Sequence, residues 1–414
     1  MRTPFVKALT YYRDKTPVEL ASLCVKGIIE KINLKNFKPD GIILGNVIPY
    51  LKGPNIAREV VYQLGLDPQI NAYTINTACI SGLRAITTSV ESINTKQADF
   101  LIAGGVDSIS FMSVPYRTEF IQSLYKASKE KNPLEKAFIM ISSIRPKYLI
   151  PSIPEFRELS TNLRMGDYGE ILADIFHLNR HELDEFSLKS HKKGYEAFMK
   201  GTFKEDILNI QIGSEKISVD TTLRPDTSLE KLSKLKPVFK KNGKLTAGNS
   251  SPVTDGAATI LICSESGLKK FNLKPLAKIK NYRFSATDND EKLLLAPIYA
   301  ITTLLEKDKL TLNDIDIFEI HEAFASQILA TIKCLNNKKL CKKILNIEPP
   351  DGRVEEEKVN VFGGSIALGH PFSATGIRLV MNAVRTLKEK NGRYALVSSC
   401  AAGGLGCALL IENL

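Results

Sequence analysis

Ala72-Tyr73-Thr74-Ile75-Asn76-Thr77-Ala78-Cys79-Ile80-Ser81-Gly82 carries a β-type apolar stretch straight into the small residues that open a helical pattern. Residues 72–76 read as a strand and residues 81–95 as a helix, so the junction presents Cys79 at a helix N-terminus. Working outward, 40–45 and 100–106 are apolar runs of strand length flanking that unit. The C-terminal half repeats the grammar. A strand over 316–320 leads straight into a helix at His321-Glu322-Ala323-Phe324, and 394–398 with 406–411 form a closing strand pair. In each half a strand end delivers a reactive side chain, Cys79 or His321, and a later strand enters a Gly-Gly turn. That is a duplication of layout in a layered α/β fold.

Between the halves, residues 115–245 are rich in Lys, Pro and Ser with shorter patterns, as a large insertion would be. Inside the insertion, 116–147 sets basic residues around apolar clusters such as Phe138-Ile139-Met140-Ile141. This stretch reads either as a helical excursion packed on its own domain or as a hairpin that contacts a partner or a membrane.

At 414 residues, 43 % apolar and 24 % charged, the chain has an ordinary soluble globular balance with room for well-buried cores. No apolar run is long enough to span a bilayer, and the N-terminus shows no signal-peptide core. A cytoplasmic location is expected, or the mitochondrial matrix for a chain already trimmed. The seven cysteines follow no CxxC or Cys/His spacing, which argues against a disulfide framework and a zinc site. HEAFA is not HExxH, because Ala325 stands where the second histidine belongs. The net charge of +11 comes from scattered lysines without interleaved aromatic residues, so it suits an anionic, nucleotide-bearing small molecule or a membrane surface better than nucleic acid.

Three further residues complete a chemical set with Cys79. His370 closes Gly363-Gly364-Ser365-Ile366-Ala367-Leu368-Gly369-His370-Pro371, a tight loop suited to presenting a general base. Cys400, in Ser399-Cys400-Ala401-Ala402-Gly403-Gly404, lies between a strand and a turn whose small residues let backbone amides approach an oxyanion. His321 can position a water or donate to an oxyanion. Each alone has a structural reading: a buried cysteine, a capping histidine, a β-turn. Together, a nucleophilic thiol, a base and a second thiol acid are what reversible carbon–carbon cleavage beside a thioester requires.

These segments, in order along the chain, resemble the thiolase family. NTACISGL is similar to the nucleophile segment, HEAFASQ to the N/H-E-A-F-A segment, GGSIALGHPFSATGIR to the histidine loop and SSCAAGGLG to the second-cysteine loop. RTPF at the start, Leu223-Arg224-Pro225-Asp226, LTAGNSS over 245–251 and TDGAA over 254–258 also match, so the resemblance spans residues 2–412. It implies two βαβαβαββ halves in a five-layer α-β-α-β-α core, the first over 1–112 with 247–273 and the second over 274–414, with an inserted loop domain over 113–246.

His321, where many members carry Asn, and Pro-Phe after His370 are similar to β-subunits of fatty-acid oxidation complexes, as is the segment 158–167. The resemblance implies 3-ketoacyl-CoA thiolysis. It assigns Cys79 as nucleophile, His370 as general base, Cys400 as general acid/base, His321 as water-positioning, the Ala402 amide as an oxyanion donor and Glu322 as a supporting residue. Met165, Arg224 and Ser251 match coenzyme A-binding positions, with coenzyme A as co-substrate and no tightly bound cofactor. It further implies a homodimer core, a hydratase/3-hydroxyacyl-CoA dehydrogenase α-subunit as partner and peripheral membrane contact. Two rival readings use the same fold: a biosynthetic acetyl-CoA acetyltransferase, and a non-catalytic lipid-carrier or scaffold subunit. Cys400 argues against a ketoacyl synthase, which needs a second histidine there.

Overall fold

Strand-length apolar runs covered on both faces become fully buried strands, and two such sheets organise the chain. The computed structural model describes residues 1–33, 37–113, 116–143, 156–288 and 290–414. The strands in chain order are β1 (Val6–Lys7), β2 (Gly41–Gly45), β3 (Asn71–Ile75), β4 (Phe100–Asp107), β5 (Ile210–Ile212), β6 (Glu215–Ile217), β7 (Thr254–Cys263), β8 (Lys278–Ala286), β9 (Ile317–Ile320), β10 (Tyr394–Ala401) and β11 (Leu405–Glu412). One sheet runs β1-β7-β4-β2-β3 and the other β8-β11-β10-β9. Their geometry repeats: β2 pairs parallel with β4 as β9 does with β10, and β7 is antiparallel to β4 as β11 is to β10.

The second sheet is one strand short of the expected repeat. Where β3 would recur, only the bridge between Phe318 and Val359 forms. Asn360 ends it by turning left-handed at φ 43. Its side-chain amide then accepts from the Ile320 N–H at 2.8 Å and donates to the Ile320 carbonyl at 2.9 Å, doing the work of a ladder residue.

Helices Ser81–Asn94 and Ser373–Lys390 lie back to back between the sheets, as the central layer. Pro17–Ile32 and Ile56–Gln63 cover the outer face of the first sheet, and Ala296–Asp308 that of the second. The layer order is α-β-α-β-α. Pro17–Ile32 starts on a capping box, Thr16 with Glu19, and ends on left-handed Asn33. The central layer is tight because it is built on missing side chains. A Cβ at Gly105 of β4 would lie 2.5 Å from the Ser373 carbonyl, and one at Gly376 2.6 Å from Leu83 Cγ.

Two boundaries differ from expectation. The helix after β9 begins at Ala325, with Phe324 extended as its N-cap. His321 therefore precedes the helix, because its N–H still bonds the Ser398 carbonyl at 2.9 Å as a continuation of the β9–β10 pairing. Cys400 lies within β10, opposite Gly406, and the turn is Ala402–Gly404 with φ 78 at Gly403 and 67 at Gly404.

In the insertion, Thr118–Lys129 and Pro133–Ser143 pack on each other as a helical hairpin. The rest of the stretch over 144–147 lies outside the described residues. Met165–Ile175 and Arg180–Met199 follow, the latter a 20-residue helix opened by an Asn179–Glu182 capping box. Arg2 ties the N-terminus to this region through a buried bidentate pair with Asp220 at 2.6 and 2.7 Å.

Candidate active site

Cys79 sits in the turn between β3 and helix Ser81–Asn94, after Ala78 in the left-handed region at φ 50. The turn is stitched by Ser81, whose hydroxyl accepts from the Thr77 N–H at 2.8 Å and donates to the Ala78 carbonyl at 2.6 Å. Cys79 is half-buried. Burial and the nearby Asp107 push its thiol up to about 12, while the amides of Ala402 and Cys79 itself, aimed at the sulfur, pull it down. Cys79 therefore rests as a thiol, which would need a base to act as a nucleophile, and two backbone N–H groups already converge on its sulfur.

The residue expected to serve as that base is His370. Its loop is seated by Gly369, at φ 95, where a side chain would meet Thr254 and Phe5. Its N–H donates to the Pro252 carbonyl at 3.1 Å. Nδ1 lies 2.7 Å from the Thr375 hydroxyl, which leaves Nε2 as the nitrogen available to take a proton. Burial, then the Arg378 cation, lowers its pKa to about 3, so the ring is neutral and able to accept. Phe372 packs edge-on against it at 5.1 Å.

The His321 ring stands 4.2 Å from that of His370, centroid to centroid. Its Nδ1 is 2.8 Å from Ser365 Oγ, and Nε2 is buried with no partner among the described residues. Cys400 is buried on β10; burial and the neighbouring Cys79 sulfur raise its pKa, so it too rests as a thiol. The hairpin brings the Ala402 amide from the second half to the Cys79 sulfur of the first, and Glu158 accepts from the adjacent Gly403 N–H at 2.7 Å. Cys79 of the first half thus meets Cys400 and Ala402 of the second, while His370 and His321 form a stacked pair on the second half's loops.

Ser251 joins them: its N–H donates to the Ala323 carbonyl at 3.0 Å, two residues from the strand-like pairing of Val253 with His370. Met165 opens its helix beside Phe239 and Phe324, which pack into the helix glycines Gly166 and Gly169. Arg224 lies apart, lining a cleft with His191, Tyr195, Glu196 and Thr227. Glu322 accepts from Asn360 Nδ2 at 2.7 Å, Ser190 Oγ at 2.8 Å and the Ile366 N–H at 3.2 Å, and so holds the Gly363-Gly364-Ser365 loop.

Three residues that pattern reading did not single out organise the site. Asp107, buried at the end of β4, accepts from the Val47 and Ile48 amides and from the Ser373 N–H and hydroxyl, clamping the helix that follows His370. Arg378 reaches Ser365 Oγ at 2.6 Å and faces Glu319 at 4.0 Å, both fully buried. Thr375 orients His370. A charged residue on an otherwise small and apolar helix face, Arg378, was the available signal. Among the described residues no cluster of His, Cys, Asp and Glu could hold a metal ion, and no helix is long and apolar enough to cross a membrane.

Models of the thiolase N-terminal and C-terminal domains match residues 1–266 and 273–413. The chain is 40 % identical to a probable 3-ketoacyl-CoA thiolase of Caenorhabditis elegans over 100 % of its length and 92 % of the relative's. It is 39 % identical to the mitochondrial trifunctional enzyme subunit beta of Mus musculus, covering 100 % of this chain and 86 % of that protein. Human mitochondrial 3-ketoacyl-CoA thiolase, solved with CoA, superposes with a TM-score of 0.83 at 31 % identity, over 100 % of this chain and 96 % of that one. With its repeated sheets, its paired central helices and these matches over both halves, the chain belongs to the thiolase family.

Proposed function

We propose that this protein is a 3-ketoacyl-CoA thiolase of fatty-acid β-oxidation, an acyltransferase that splits 3-oxoacyl-CoA with coenzyme A into acetyl-CoA and a shortened acyl-CoA. The observation that carries it is the half-buried Cys79 sulfur facing the Ala402 amide, beside the Cys400 thiol, with the neutral His370 imidazole on the neighbouring loop. Cys79 attacks the 3-keto carbon while its proton passes to His370. The Cα–Cβ bond breaks, its electron pair moves to the leaving acetyl-CoA carbon, and Cys400 protonates that carbon. The Cys400 thiolate then takes the proton of incoming coenzyme A, whose sulfur displaces the acyl group from Cys79. His370 returns its proton to Cys79. The Ala402 and Cys79 amides serve the oxyanion of the acyl-enzyme steps, and His370 with a water on His321 serves the enolate oxygen.

Met165 and Ser251 line the approach of the pantetheine arm in this reading, and Arg224 the nucleotide end. Residues 113–246 form the loop domain, inserted between 1–112 with 247–273 on one side and 274–414 on the other. The helical hairpin supplies the partner surface: Leu134 is 82 % exposed, Phe138 73 % and Ile141 71 %, among Lys126, Lys129, Lys131 and Lys136. An α-subunit with hydratase and dehydrogenase activities and an anionic membrane surface both fit that chemistry, around a homodimeric core in the cytoplasm or mitochondrial matrix.

Thiolysis rates over acyl chains from C4 to C16, measured on the wild type and on Cys79→Ser, test the reading. The expectation is turnover beyond C4 that the substitution abolishes. Retained turnover in Cys79→Ser removes the nucleophile, and activity confined to C4 favours an acetyl-CoA acetyltransferase.

A further inference from the structure

We propose that Ser365 and Arg378 are positioning residues that fix His321 as the tautomer carrying its proton on Nε2, making the imidazole a preset donor toward the enolate oxygen. The inference rests on the reading above, in which His321 serves that oxygen, and it is carried by hydrogen-bond accounting in a fully buried chain of three side chains.

The guanidinium of Arg378 has only donors. Its Nη2 lies 2.6 Å from Ser365 Oγ, so the serine oxygen accepts there. The same oxygen lies 2.8 Å from His321 Nδ1. Two arrangements remain. If Nδ1 carries the proton, Ser365 accepts twice, its own hydrogen has no partner, and Nε2 presents a bare lone pair in a buried site. If the serine hydroxyl donates to Nδ1, Ser365 and Nδ1 are both satisfied and the ring leaves only its Nε2–H unpaired; Arg378 Nε and Nη1 lack a hydrogen-bond partner among the described residues in either arrangement. The second arrangement strands fewer groups, and it points the Nδ1 lone pair along a line that ends on a cation.

The chain is held from both ends. Glu322 anchors the loop bearing Ser365 through the Ile366 N–H at 3.2 Å, and Asn360 donates to Glu322 at 2.7 Å. Arg378 belongs to helix Ser373–Lys390, whose first residue is clamped by Asp107. Double protonation of His321 is opposed by burial, by the adjacent His370 ring and by Arg378. The ring atom left over, Nε2, is buried and unpartnered among the described residues, in a ring 4.2 Å from that of His370. A neutral donor fixed in advance stabilises developing charge without reorganising when the charge appears.

The experiment has two parts. First, nitrogen NMR of the full-length enzyme labelled with 15N-histidine, with the His321 signal assigned by its loss in His321→Asn, should show the Nε2–H tautomer. An Nδ1–H signature overturns the proposal without reference to activity. Second, a double-mutant cycle pairs Ser365→Ala with His321→Asn. The Asn amide is a donor that has no tautomers. Ser365→Ala should lower kcat about tenfold to a hundredfold in the wild type, with KM for coenzyme A unchanged, and have little further effect in the His321→Asn background. Equal losses in both backgrounds mean that Ser365 acts only structurally, which overturns the proposal. Should Ser365→Ala fail to fold, the wild-type spectrum still decides. Full thiolysis by His321→Ala would instead reject the reading that His321 serves the enolate oxygen, a failure distinct from finding the wrong tautomer.

Discussion

Gly105→Ala separates the geometry of this site from its stability. Gly105 lies on β4 against the first turn of the helix that follows His370, and an added Cβ would stand 2.5 Å from the Ser373 carbonyl carbon and oxygen and 2.8 Å from Ala374 N. Ordinary contact begins near 3.4 Å, so strand and helix must part by about 0.9 Å. No flexible side chain is available to absorb this. Both obstacles are backbone, and Asp107 holds Ser373 by two hydrogen bonds at 2.6 and 2.9 Å. Overpacking of this kind costs about 1–3 kcal/mol. Spread over an unfolding entropy of a chain this size, that lowers Tm by only a few degrees.

The catalytic effect should be far larger. The displaced helix carries Thr375, which orients His370, and Arg378, which lies beyond it, and a shift near 1 Å in reacting groups costs on the order of a hundredfold in rate. Gly27→Ala is the control, since its Cβ would meet the mobile end of Leu208 at 2.9 Å and alanine favours the helix. The assay is steady-state thiolysis beside a thermal melt. Wild-type kcat in a folded Gly105→Ala enzyme would refute the claim that this contact sets the position of His370.

Other outcomes follow from individual residues. Cys400→Ala should leave acylation of Cys79 by acyl-CoA near its wild-type rate while abolishing carbon–carbon cleavage, followed by mass spectrometry of the acyl-enzyme; equal loss of both would contradict its acid/base role. Burial, offset by its amide and hydroxyl donors, raises Asp107 from an ordinary 3.8 to about 6. Between those values the folded state binds more protons than the unfolded one, so stability falls as pH rises, by ~3 kcal/mol at 1.36 kcal/mol per pH unit. Urea midpoints from pH 4 to 6.5 should therefore show this slope in the wild type and its loss in Asp107→Asn; parallel curves would remove Asp107 as the source. Asp220→Ala strands the buried Arg2 guanidinium and should cost about 3–5 kcal/mol in unfolding free energy. A Tm within a degree of wild type would show that the pair is dispensable.

What could be read in advance was whatever the chain writes locally. Strands β2, β4, β9, β10 and β11 are legible as apolar runs because both sheet faces are covered, and Cys79 as the end of the partly buried β3 running into a helical pattern. His370 and Cys400 were legible because glycine and small residues mark loops where backbone must approach something closely. What escaped depends on contacts between distant segments. The helix after β9 was placed too early because HEAFA reads as a helix opening, yet the His321 N–H is claimed by Ser398, far along the chain. The second sheet loses its fifth strand to one asparagine whose side chain imitates a backbone, and no local pattern announces that.

Arg378 and Asp107 were hidden for the same reason, and their burial explains why both matter. A charge carried into a core is costly unless its partners are arranged around it, and those partners here are the loops of the site. Asp107 accepts the amides of Val47 and Ile48 and the first turn after His370, so the carboxylate cannot be satisfied unless those segments meet. Arg378 places its Nη2 on Ser365, which in turn contacts His321, so that hydrogen bond forms only when the His321 side is in place. The two buried charges therefore act as conditions on geometry, coupling correct folding of the central layer to correct placement of both imidazoles.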